Sequence, residues 1–142
     1  MSIPKNDTKT VLVIDDQPSV LIVVKAMLES GLSNVLLAHD ADSALRLVES
    51  ENLPIDLVLT DVTLRDTSGS DLASRILAVR PGVKLMFMSA FVDGEVVLVK
   101  LLEQAPGELG PLGKDGLVEC VRRKLANSSS QSNGRKTMTA GA

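Results

Sequence analysis

Four short, nearly continuous apolar runs recur along the chain, spaced so that one helix fits between each pair, and this alternation constrains the fold more than any other feature. The runs are VLVI (Val11 to Ile14), NVLLA (Asn34 to Ala38), IDLVLT (Ile55 to Thr60) and KLMFMS (Lys84 to Ser89). Runs that are apolar on both faces suit strands of a parallel sheet covered by helices on each side. After the first run, Val20, Leu21, Val24, Met27 and Leu28 recur at helical spacing, with Pro18 near the start and Gly31 at the stop. Ala41, Ala44, Leu45 and Val48 form a second stripe, and Leu72, Ala73, Ile76 and Leu77 a third that ends before Pro81. Val96, Val97, Leu98, Val99, Leu101 and Leu102 predict a fourth helix, apolar nearly all round. Leu117, Cys120, Val121 and Leu125 predict the last, with Arg122, Arg123 and Lys124 suited to its C-terminal turn.

Right-handed crossovers and short loops turn this order into an α/β sandwich, flavodoxin-like or Rossmann-like. The expected form is a three-layer (βα)5 fold whose five-stranded parallel sheet has the order 2-1-3-4-5. Its fifth strand would fall in APGELGPLG (Ala105 to Gly113), which has no β-branched residue and is interrupted by two prolines and three glycines. That strand should be short or irregular. A chain of 142 residues allows one domain. Residues 1–9 read as a polar lead-in, 10–126 as the domain, and 127–142, small and polar, as a disordered tail.

Composition removes several classes of function. One cysteine, Cys120, and one histidine, His39, cannot build a zinc site. The net charge of −3 becomes −5 once Arg135 and Lys136 of the tail are set aside, so the body is not a nucleic-acid binder. Phe87 and Phe91 are the only aromatics, too few for a base- or sugar-stacking platform. No apolar run approaches the roughly 20 residues that span a bilayer, and Met1 to Thr10 lacks an apolar signal core. A cytoplasmic protein is expected.

Asp15 and Asp16 close the first run and Asp61 the third, and ligands of open α/β sheets gather at the carboxyl ends of the strands. In the expected strand order the first and third strands are neighbours at the switch point. Like charges about 4 Å apart repel by roughly 4 kcal/mol at an effective dielectric of 20. Such a cluster calls for a cation or a raised pKa, and oxygen-only ligation points to Mg²⁺. Taken singly, each Asp could be a turn former or helix cap; together the three make capping a poor explanation. The fourth run ends at Ser89, which puts a hydroxyl at the same rim.

The array VLVIDDQPS (Val11 to Ser19), LVLTDVTLRDTSG (Leu57 to Gly69) and MFMSA (Met86 to Ala90) resembles the receiver domain of two-component response regulators, across residues 10–126. The resemblance implies a phosphoacceptor, Asp61. It implies Mg²⁺ held by Asp16 directly, by Asp15 through water, by Asp61 and by the Thr63 main-chain carbonyl, with Ser89 as the switch hydroxyl. It implies a phosphorelay signalling protein rather than an enzyme, and a sensor histidine kinase or phosphotransfer protein as donor. Output would pass by contact to a downstream protein, with no output domain after residue 126. The chain could stand alone or derive from a hybrid kinase. A homodimer through the fourth-helix region is a further expectation. His39 reads as a solvated surface residue.

The chain departs from the family pattern near its end. Receivers carry a Lys at the end of strand five, followed by Pro and an aromatic. One register puts Pro111 and Leu112 in those slots and Gly110 in the place of the Lys; the other takes Lys114 as the Lys and loses both following matches. Arg65 stands four residues after Asp61, where Pro is usual; it reads as a surface arginine on a loop, with a cation at the crevice rim as the alternative. Two rival readings remain open. One is a degenerate receiver acting as a phosphorylation-independent interaction module. The other is a haloacid-dehalogenase-type phosphatase, although that class wants a second Asp at position 63, which here is Thr.

Overall fold

The computed structural model describes residues 8–31, 33–93, 96–102 and 116–126. The order is β1 (Thr10–Ile14), α1 (Pro18–Ser30), β2 (Asn34–Ala38), α2 (Ala41–Glu49), β3 (Leu57–Asp61), α3 (Gly69–Val79), β4 (Lys84–Asp93) and β5 (Val96–Leu101). A further helix, α4, covers residues 116–126. The strands lie in the order β2-β1-β3-β4-β5 in one sheet, so the flavodoxin-like architecture and strand order expected from the sequence are both present.

Each helix begins as its local sequence dictates. Pro18 occupies the first turn of α1, where a missing N–H costs nothing. Asp40 and Ser43 form a reciprocal cap on α2. The Ser68 side chain accepts the Asp71 N–H at the start of α3. The C-terminal end of α2 is closed from elsewhere: Arg80, just past α3, donates to the carbonyls of Val48 and Ser50 at 2.8 and 2.6 Å.

Side-chain alternation along the central strands divides the core in two. Val11, Val13, Leu57, Leu59, Met86 and Met88 face α1 and α4, whose Val24, Leu28, Leu117 and Val121 complete that layer. Leu12, Ile14 and Val58 face α2 and α3, against Leu45, Val48, Leu72 and Ile76. Gly31 lets α4 approach: a Cβ there would sit 2.6 Å from a Val118 methyl, while its φ of −93° is open to any residue.

The sheet departs from expectation at one edge. Val96 to Leu101, expected as a fourth helix, is a strand, and it runs antiparallel to β4, with Asp93 opposite Val96 and Met88 opposite Leu101. The sheet is therefore four parallel strands plus one antiparallel strand rather than all parallel. A run rich in β-branched valine with no polar stripe has no outward helical face, whereas a strand can alternate. Val99 and Leu101 are buried and Lys100 is exposed. Ala105 to Gly113, where the fifth strand was expected, lies outside the described residues. A dimer through a fourth helix at Val96 to Leu102 loses its element.

Candidate functional site

Two loops at the carboxyl ends of β1 and β3 build the site. Val13 pairs with Leu59 in the sheet register, both on the α1 face, and two residues further on each strand stand Asp15 and Asp61. The Asp15 N–H still donates to the Ala38 carbonyl, at 3.2 Å, so the ladder holds Asp15 in line. Asp15 is fully buried and Asp61 retains 8% exposure. The Asp15 Oδ1 accepts the Gln17 N–H at 2.8 Å, and the Asp61 Oδ1 accepts the Thr63 N–H at 3.1 Å.

The turn after β3 is pinned at both ends. Thr63 and Ser68 form an antiparallel bridge, flanked by hydrogen bonds from Leu64 to the Thr67 carbonyl and from Gly69 to the Val62 carbonyl. In this pairing the bridged residue's own N–H and C=O point away from its partner. The Thr63 N–H meets Asp61, so its carbonyl is directed to the same side. Gly69 has no room for a side chain, because a Cβ would collide with the Asp61 carbonyl and lie 2.9 Å from the Val62 Cα. Close backbone approach is what requires glycine here.

The Asp61 carboxyl faces that of Asp15 closely enough to bear on its protonation. Burial, then the contact with Asp61, pushes the Asp15 carboxyl up to about 7. The Gln17 N–H pulls the other way, and the charges of Asp61 and Asp16 add to the rise. The Asp15 Oδ2 is buried without a hydrogen-bond partner. A buried, orphaned carboxylate oxygen beside a second carboxylate is an oxygen donor set that fits a hard divalent ion such as Mg²⁺.

Asp16 borders this pair, near enough for its charge to bear on Asp15. Its Oδ2 lies 4.0 Å from Arg65 Nε, and both line a cleft of about 340 Å³ with His39, Asp40 and Asp66. Among the described residues, no three His, Cys, Asp or Glu side chains close to metal-binding distance. The three acids read as one crevice in the sequence are thus a tight pair and a neighbour at the rim. His39 is exposed, as expected, with Nδ1 3.4 Å from Asp40 Oδ2. The capping Ser43 hydroxyl and N–H hold the Asp40 carboxyl below the usual range.

Ser89 does not end its strand: β4 continues to Asp93. Asp61 pairs with Met88, so the pleat turns Ser89 to the opposite face, where it stands across from Lys100. Lys100 is the cation that the sequence reading passed over. Reading VVLVKL as a strand would have exposed it. Gly110 and Lys114, the two candidates for the family lysine position, lie outside the described residues.

Comparison with known proteins decides the family. The model of the response regulator receiver domain matches residues 11–107. The chain belongs to that family. It is 32% identical over 119 residues to the transcriptional regulatory protein ZraR of Salmonella typhimurium, a match that covers 83% of this chain and 26% of that protein. It is 33% identical over 88 residues to the two-component response regulator ARR2 of Arabidopsis thaliana, covering 62% of this chain and 13% of the relative. This receiver therefore spans about a quarter of the ZraR length, and less of ARR2. Among solved structures, a CheY-like receiver domain protein from Methanospirillum hungatei superposes with a TM-score of 0.68 at 25% identity, covering 87% of this chain and 98% of that one. Receivers are signalling modules of two-component systems. Among the described residues, no helix is long and apolar enough to cross a membrane.

Proposed function

We propose that this receiver accepts a phosphoryl group on Asp61 from the phosphohistidine of a sensor histidine kinase or phosphotransfer protein, and signals by protein contact in the cytoplasm. The receiver unit would comprise residues 10–126, with a lead-in at 1–9 and a tail at 127–142. The single observation that carries this reading is the buried, unpartnered Asp15 Oδ2 beside the Asp61 carboxyl. A receiver acting only as an interaction module has no use for that unfavourable pair.

With Oδ1 held by the Thr63 N–H, the Asp61 Oδ2 is the nucleophile. It attacks phosphorus, the P–N bond breaks, its electron pair returns to the donor imidazole, and an acyl phosphate forms on Asp61. Asp15, Asp16, Asp61 and the Thr63 carbonyl would hold Mg²⁺, which when bound neutralises charge on the phosphoryl oxygens. Asp16 must first turn from Arg65. Ser89, the proposed switch hydroxyl, would reach the phosphoryl group only if the end of β4 rotates. With Gly110 in the lysine slot, a fixed cation is missing and transfer should be slow; Lys114 is the alternative cation.

Incubation with acetyl phosphate and Mg²⁺ should give a hydroxylamine-labile adduct on the wild type and none on Asp61→Asn. Beryllofluoride with Mg²⁺ should shift the Asp61 and Thr63 amide resonances. Equal labelling of the variant would move the acceptor elsewhere, and an absence of both adduct and shifts would favour the interaction module.

A further inference from the structure

Arg65 is a charged residue beside the site that phosphoryl acceptance does not use. Its backbone is fixed: Leu64 is buried, and its N–H donates to the Thr67 carbonyl at 3.0 Å across the turn. Asp66 ties the turn to α2, accepting the Ala41 N–H at 3.4 Å. Only the Arg65 side chain is free to move, at 80% exposure. Of the carboxylates around the cleft, Asp40 is committed to the Ser43 N–H and Asp66 to Ala41, while Asp16 faces the guanidinium.

We propose that Arg65 is a tethered competitor for the divalent ion. It neutralises Asp16 while no metal is bound and must withdraw when Asp16 turns to ligate, so it weakens the site's hold on Mg²⁺. This rests on the proposed metal role of Asp16. A positive charge left within a few ångströms of the incoming dication opposes it by Coulomb repulsion as well. A lysine at the same position keeps the charge and the reach.

Mg²⁺ titration of the metal-free protein, followed by the Thr63 and Gln17 amide resonances, tests this without any phosphoryl chemistry. Arg65→Ala should bind Mg²⁺ about three- to tenfold more tightly than wild type at low salt. Arg65→Lys should stay within about twofold of wild type, and the advantage of Arg65→Ala should largely vanish at about 1 M salt, where the Debye length is near 3 Å. Unchanged or weaker binding by Arg65→Ala overturns the competitor role while leaving the metal site standing. A wild type and an Arg65→Ala variant that both fail to bind Mg²⁺ overturn the metal reading and this inference with it.

Discussion

The middle of the sheet and its β5 edge behave differently. Around β1 and β3, parallel strands are covered on both faces, and short loops hold each carboxylate by a backbone N–H from two residues on. At β4 and β5 an antiparallel hairpin replaces the expected crossover, and Ser89 and Lys100 sit across from each other on the face away from Asp61. The acid pair is thus braced locally, whereas the β5 edge is built from an element that the sequence reading did not foresee. The comparison teaches that the proposed acceptor and the proposed switch rest on different supports, one on loop hydrogen bonds and the other on how the last strand joins.

The sharpest way to break this contrast is through the acid pair. With its folded pKa raised from 3.8 to about 7, Asp15 makes the folded state bind more protons than the unfolded state across that window. Metal-free protein should therefore lose stability as pH rises from about 4 through 7, by about 4 kcal/mol, and level off above. Asp15→Asn should abolish that slope in denaturant titrations, and Mg²⁺ should raise the wild-type Tm at pH 8 but hardly at pH 5. A flat profile would remove the strain that distinguishes the acid end.

Next in size is the turn that braces Asp61. Gly69→Val should cost about 2–3 kcal/mol through overpacking against the Asp61 carbonyl, with a matching loss of Mg²⁺ affinity. If Gly69→Val proves neutral, the turn is not the brace described. Arg80→Ala, which uncaps α2 far from either region, should cost about 1–2 kcal/mol and leave Mg²⁺ affinity unchanged. The smallest effect belongs to the hairpin side. Lys100→Ala should alter acetyl-phosphate labelling by less than about threefold, since Lys100 stands across from Ser89 on the face away from Asp61; on the proposed register with Gly110 in the lysine slot, Lys114→Ala should do the same. A tenfold loss in Lys114→Ala would instead place that residue at the phosphoryl group.

Much of this was legible before any coordinates. The apolar runs and helical stripes located β1 to β4, α1 to α3 and α4, because burial on two faces leaves a continuous run and burial on one leaves a period. Asp15 and Asp61 were legible as strand-end acids. Val96 to Leu101 was misread because an apolar segment without a polar stripe has no period to distinguish helix from strand. Asp16 was legible as the acid after Asp15, but its approach to Arg65 was not, because strand ends specify position and not rotamer.

The sequence by itself determined the alternation of strand and helix from β1 to β4, the order of those strands and the placing of Asp15 and Asp61 at the strand ends, since these follow from local spacing and the hydrophobic effect. The tertiary structure alone decided that Asp15 and Asp61 pair while Asp16 turns to Arg65, and that the fifth strand is antiparallel. Those outcomes depend on which groups meet across long separations in the chain, and no local pattern records a meeting of that kind.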